Sequence, residues 1–271
     1  MLHLLEYDFF RNALIGLILI AISSAIIGTY VVTRRMVAIS GGITHASFGG
    51  LGLGYFMGIN PVVTAILFAA ASAIGVEWMA HDRRIREDSA IAVVWALGMA
   101  LGVLFVFLTP GYVPELNSFL FGNILTVTTA DIISFALYTI ILIGVMAVGI
   151  NKIILVSFDA DFARVRGLQA GVISMFMTLM TAICIVLTIR MVGIMLLMSM
   201  LSLPTMTAEL FSTRYRSIML LSIIISVVCS MSGLMLATVI DVPCSALIVI
   251  VMIMAYIVCK IFVSLQNKKS L

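Results

Sequence analysis

The sequence predicts an all-α fold, a polytopic transmembrane helix bundle of about nine spans (eight to ten) with the N-terminus outside and the C-terminus inside. Three observations carry that expectation. Of 271 residues, 63% are hydrophobic and 10% charged, with a mean hydropathy of +1.27. Apolar stretches of about 20 residues recur along the whole chain. Lys and Arg gather on alternate connections. A water-soluble domain cannot hide this much apolar surface, because its core runs out of volume first, so the remainder must face lipid. No nucleic-acid partner is expected.

No water satisfies backbone groups inside the hydrocarbon layer, so each crossing must be a helix. The stretches fall at 13–32, 37–57, 61–80, 90–108, 131–150, 171–189, 192–211, 218–240 and 244–263, forming one domain over 1–271. An odd number of spans puts the termini on opposite sides. With the N-terminus outside, Arg34, Arg35, Arg83, Arg84, Arg86, Lys152, Arg164, Arg166, Arg214, Arg216, Lys260, Lys268 and Lys269 lie on or near the inside. Only Arg11 and Arg190 fall outside, as the preference of cations for cytoplasmic loops requires. The first stretch has no basic leader or small-residue cleavage site and is expected to remain as a helix. Outside, the connection 109–130 opens on the turn-rich Thr109-Pro110-Gly111-Tyr112-Val113-Pro114. Its later part, 118–127, is apolar but too short to span, so a short helix at the outer surface is expected. Cys184, Cys229, Cys244 and Cys259 stand singly and read as small buried hydrophobes, and the 19 methionines as soft packing and lipid-facing residues.

Three segments carry more than hydropathy. In the second span Gly42, Ala46, Gly50, Gly54 and Gly58 recur at every fourth position. They share a face that lets neighbouring backbones approach, which places this helix deep in the bundle. His45 lies beside that stripe with Gly41 and Gly49, among the hydroxyls of Ser40, Thr44 and Ser47. At roughly 15 Å beyond Arg35 it sits well inside the hydrocarbon. Such a group faces a cavity or a partner and is a candidate metal ligand; the alternative is a histidine hydrogen-bonded to a neighbouring helix.

The inner connection Ser157-Phe158-Asp159-Ala160-Asp161-Phe162-Ala163-Arg164-Val165-Arg166-Gly167 reads as a short helix. Asp159 caps its start, Arg164 and Arg166 suit the negative end of its dipole, and Gly167 closes it. It is either an amphipathic segment on lipid headgroups or a docking surface offering Phe158, Phe162 and Val165 to a cytoplasmic partner. The third segment, 192–205, places Pro204 within an apolar run, where a helix break is expected.

These residues resemble the membrane subunits of bacterial ATP-binding-cassette importers for manganese, zinc and iron chelates, nearly end to end. Ser118-Phe119-Leu120-Phe121-Gly122-Asn123-Ile124-Leu125-Thr126-Val127 is similar to the family's outer Leu-Phe-Gly motif, and Glu87-Asp88-Ser89-Ala90-Ile91 to its acidic span start. The connection from Phe158-Asp159 through Ala163 to Gly167 resembles its Asp-Pro-Glu-Phe-Ala…Gly loop, with Ala160 where Pro is usual. Val192-Gly193 with Leu201-Ser202-Leu203-Pro204 and Ala208 resembles its Val-Gly…Pro run.

The resemblance implies a non-catalytic permease in the bacterial cytoplasmic membrane, moving zinc, manganese or iron ions. Two permease subunits, as a homodimer, would join cytoplasmic ATPases that bind the ATP and an extracytoplasmic solute-binding protein. Asp159, Asp161, Phe162, Ala163, Arg164 and Gly167 would couple to the ATPase, and His45 would line the path. The chain has no Gly-x-x-x-x-Gly-Lys loop of its own and no cofactor is expected. In the family an Asp precedes the histidine by one turn, and here Gly41 stands there. Pro243-Cys244-Ser245 likewise departs from the family's Pro-x-Gly. A metal chelate or other small solute, suited to a roomy glycine face, is therefore the alternative cargo. A membrane scaffold without transport is the third class, and it gives the connection no purpose.

Overall fold

Apolar runs with no alternating polar face have one way to satisfy their backbone groups in lipid, and each becomes a helix. The computed structural model describes residues 6–81, 87–110, 122 and 124–269, and among them it contains nine α-helices and no strand. These are α1 (Asp8–Thr33), α2 (Val37–Met57), α3 (Pro61–His81), α4 (Glu87–Leu108), α5 (Thr129–Phe158), α6 (Ala160–Val165), α7 (Ala170–Glu209), α8 (Tyr215–Ile240) and α9 (Cys244–Lys269). Every predicted stretch falls in one of them, the seventh overrunning α7 by two residues. Six helices are long and apolar enough to cross a membrane: α1, α4, α5, α7, α8 and α9. The glycine-rich α2 is not among them, and the apolar part of α3 is the shorter Pro61–Val76.

The low hydropathy of α2 follows from where it sits. It is buried between α3 and α4, with Ser40, Gly41, Gly42, Thr44, Ala46, Gly50 and Gly54 all covered. Gly42 meets Ile91 and Ala46 meets Gly98, both on α4, whereas Gly50 meets Thr64, Ala65 and Phe68, and Gly54 meets Pro61, on α3. A row of every fourth residue drifts by about 40° per step, so one stripe serves two neighbours. A Cβ on Gly50 would lie 2.6 Å from the Thr64 carbonyl oxygen, and one on Gly52 2.6 Å from that of Gly102. Backbone touches backbone there. Gly58, expected in the stripe, departs from it: it closes α2 at φ +66 and no neighbour stands within 4 Å of its Cβ position.

On the other side α1 is the pillar, with Ala13, Leu17, Ile20, Ala21 and Ile27 fully buried against α5, α7 and α8. Its Thr29 and Thr33 return their hydroxyls to carbonyls one turn back, so neither is left unpaired in the apolar interior.

The 40-residue α7 does not run straight. Gly193 has φ 80 and ψ 171, a region open only to glycine, and the chain folds back there. Before it, Ser174 lies at Arg34 and Met191 at Gly16; after it, Leu201 lies at Gly28. Along α1 the contacts climb and then descend, so the two halves of α7 are antiparallel and match the separate stretches 171–189 and 192–211. The break expected at Pro204 is corrected by this geometry. Pro204 is buried within helical backbone, and the only non-helical residue inside α7 is Gly193. Proline removes one hydrogen bond but keeps a helical φ, whereas reversal needs the positive φ that glycine supplies.

The connection between α4 and α5 meets this turn at Gly122. Gly122, at φ +62, packs against the Val192–Gly193 peptide. The short helix expected there is a 3-10 turn at Ile124–Thr126, while 118–121 lie outside the described residues. Thr128 then caps α5: its hydroxyl accepts from the Asp131 amide, and the Asp131 carboxylate accepts from the Thr128 amide, each at 3.2 Å. The same carboxylate takes Arg190 at 3.1 Å, so the capped start of α5 is tied to the tip of α7.

Replacing Gly193 with alanine forces a Cβ into that backbone region and is expected to cost about 1–3 kcal/mol. Pro204→Ala, which disturbs no turn, should cost less. Thermal unfolding of the detergent-purified variants separates the two, and an equal or larger loss for Pro204→Ala would return the break to the proline.

Candidate functional site

Two places gather the residues that sequence singles out, one inside the bundle and one at its basic end. Inside, His45 projects from α2 toward α4, where its ring stacks on Trp95 with centroids 4.1 Å apart and planes 8° from parallel. The imidazole Nδ1 is buried and makes no hydrogen bond, so the neighbouring-helix partner of the alternative reading is a ring face, not a polar group. The nearby hydroxyls are engaged with their own helix: Ser40 donates to the Met36 carbonyl, Thr44 to Ser40 at 2.7 Å and Ser47 to Thr44 at 2.7 Å.

Gly41 is not beside open space. A Cβ there would lie 3.4 Å from the Met198 methyl, which comes from the second half of α7, and Met198 Sδ is 3.7 Å from Thr44 Oγ1. Among the described residues no three His, Cys, Asp or Glu side chains are grouped closely enough to hold a metal ion. What the site offers is one unengaged ring nitrogen, a thioether across from Thr44, and hydroxyl oxygens with spare lone pairs. Such donors, few, neutral and partly soft, are weak ligands for a first-row divalent ion.

Trp95 was not singled out by sequence reasoning, though it left a signal. Tryptophans of membrane helices favour the interfaces. Trp95 instead lies eight residues into α4, and it is 42% exposed. Met198 gave no such sign among 19 methionines.

At the basic end, α5 passes into α6 through Asp159. This residue caps the end of α5 by its backbone and the start of α6 by its side chain, which accepts from the Phe162 amide at 2.8 Å. Arg164 pairs with Asp161 at 2.8 Å, Arg166 lies over the Phe162 ring at 5.1 Å, and Gly167 turns the chain at φ +78. Ala163, expected on a docking surface, is corrected: it is fully buried against Val156 and Ala170, because α6 needs one small residue turned inward to lie on the ends of α5 and α7. Its outward face carries Phe162 and Val165, the latter 85% exposed, and Phe158 at the end of α5 is exposed beside them in sequence.

The same end of the bundle holds Arg34, which donates to Tyr30 and Ser174, and Arg216, which donates to Asn151. At the far end Arg11 pairs with Asp8 and Arg190 with Asp131. The cluster 83–86 lies outside the described residues.

The chain matches relatives over nearly its whole length. It is 31% identical over 258 residues to an uncharacterized membrane protein of Synechocystis, covering 95% of this chain and 92% of that one. It is 33% identical over 242 residues to a probable metal transport system membrane protein of Chlamydia pneumoniae (87% and 83% covered). To the manganese transport system membrane protein MntC of Listeria monocytogenes it is 28% identical over 264 residues (97% and 94%). Its fold is similar to that in PsaBC from Streptococcus pneumoniae in complex with Fab, with a TM-score of 0.86 at 24% identity over 94% of this chain and 92% of that one. A putative metal-chelate type ABC transporter in an inward-facing conformation gives a TM-score of 0.74 at 15% identity, covering 92% and 85%. The model of the ABC 3 transport family matches residues 6–263, and this chain belongs to that family.

Proposed function

We propose that this chain is the membrane-spanning permease subunit of an importer that carries divalent transition-metal ions, zinc, manganese or iron, across the bacterial cytoplasmic membrane. A separate cytoplasmic ATPase drives it, an extracytoplasmic binding protein delivers the cargo, and a second copy of the chain completes the pathway. Hydrolysis belongs to the ATPase, and this subunit is not an enzyme.

The connector carries the reading. A capped short helix, anchored by Ala163 and presenting Phe162 and Val165 outward after the exposed Phe158, joins two long apolar helices at the end that holds Arg34, Lys152, Arg214 and Arg216. A segment that merely rested on headgroups would not need both a buried anchor and a cap at each end. The reversal at Gly193 supports nine crossings, since eight long helices with α7 folded on itself give nine. The ion-paired state of Arg11 and Arg190 supports an external location for their end, because cations there are the exceptions to the inside preference.

The names of the Chlamydia and Listeria relatives, metal and manganese transport system membrane proteins, support a metal cargo. A bulky chelate is less well served. The glycine face that suggested room for it is closed by α3 and α4, and the space beside Gly41 is met by the Met198 methyl. A bare ion passing His45 and Met198 needs no such room.

In proteoliposomes holding the permease, its ATPase and the binding protein, His45→Ala is expected to lower metal uptake at least tenfold while the complex still assembles. Undiminished uptake would remove His45 from the path. Val165→Asp changes a side chain that touches little, so its effect on folding should stay within about 0.5 kcal/mol. It is nevertheless expected to abolish transport-stimulated ATP hydrolysis, and normal stimulation in that variant would refute the docking role of this face.

A further inference from the structure

A groove of about 480 Å³ runs between α1, α5 and α8, on the side of the bundle away from His45. Ile22 and Ile26 form its floor, Ile143, Met146, Ala147 and Ile150 one wall, and Met219, Leu220 and Ile223 the other. One end alone is charged. Arg216 closes it, donating a single hydrogen bond to Asn151 at 2.8 Å, with no carboxylate in reach among the described residues. Lys152 and Arg214 are exposed at the same end. Arg216 also stands in the first turn of α8, whose start receives no side-chain cap, so the amides there favour an anion as well.

An apolar channel that ends in an unneutralised guanidinium has the polarity of an anionic phospholipid. From Ile143 to Ile150 the wall is roughly 10 Å long at 1.5 Å per residue, enough for the part of an acyl chain nearest its headgroup. A second copy of the chain is the weaker occupant. A two-fold contact here would bring the positive rims of both copies together, and like charges across an interface oppose it. Barer faces are available to a copy, since in their most apolar 18-residue stretches only 11% of α9 and 17% of α4 is buried. We propose that this groove binds an anionic phospholipid, its acyl chain along Ala147 and its phosphate on Arg216.

Native mass spectrometry of the full-length chain, delipidated and then offered phosphatidylglycerol or phosphatidylcholine with identical acyl chains, tests this. The wild type is expected to retain the anionic lipid at least fivefold more than the zwitterionic one. Arg216→Gln should erase that preference and Arg216→Lys keep it, both on an exposed side chain whose loss leaves the bundle intact. Ala147→Trp, which fills the groove, should reduce retention of both lipids at an unchanged elution volume. Equal retention by the wild type, an undiminished preference in Arg216→Gln, or an altered oligomeric state in Ala147→Trp would each overturn the assignment.

Discussion

Between helices already in lipid there is no hydrophobic gain from touching, because a lipid tail is as apolar as a leucine. What holds such a bundle in one arrangement is how closely backbones can approach, and here that closeness is concentrated on α2. Its glycines at 42, 50, 52 and 54 bring it against α3 and α4 with no room for a methyl group. The position of His45 depends on this. Had α2 been separated from α4 by ordinary side chains, the imidazole could not lie 4.1 Å over the Trp95 ring, and its Nδ1 would not be shut away from competing donors.

Stacking leaves the imidazole fixed but chemically unspent. A ring held by its face keeps its in-plane nitrogens available, unlike one held by a hydrogen bond. The hydroxyls of Ser40, Thr44 and Ser47 are spent on carbonyls of the same helix, which satisfies them in a dry interior and leaves them only weak further acceptors. Donors that are few, neutral and partly soft can hand an ion on, whereas a closed set of charged ligands would keep it.

The helices were legible in the sequence because length and hydropathy are properties of a segment alone. The connector was equally legible, since Asp159 and Gly167 act on residues within a turn of themselves. What escaped were facts that belong to pairs of distant segments. Pro204 looked like the breaker because proline is the stronger local signal, yet the reversal sits at Gly193, where Gly122 from the connection between α4 and α5 packs on the turn. Ala163 looked exposed because it shares a short polar helix with Asp161 and Arg164, and only the ends of α5 and α7 decide that its face turns inward. Trp95 and Met198 reach His45 and Gly41 from other helices, and no local pattern on α4 or α7 announces either partner.

The second half of α7 gives the two sites a physical link. Through Ala163, the connector is packed on Val156 of α5 and Ala170 at the start of α7, so a displacement of α6 cannot leave those ends behind. The first half of α7 runs as helix to Arg190, which is tied to the capped start of α5 by Asp131. Beyond the Gly193 turn the chain returns past Gly28 and carries Met198 to Gly41 and Thr44. Both ends of the first half are thus clamped to α5, while the second half leaves the clamp through a single glycine. The half that bears Met198 is packed in its turn, since the Leu201 carbonyl lies where a Cβ on Gly28 would stand and Gly122 sits on the Val192–Gly193 peptide. Spatial continuity of this kind is a route and not by itself a coupling, which needs two arrangements of the turn with different energies. What the structure supplies is that route: one residue, in backbone space open only to glycine, joins the half clamped to α5 to the half that reaches α2.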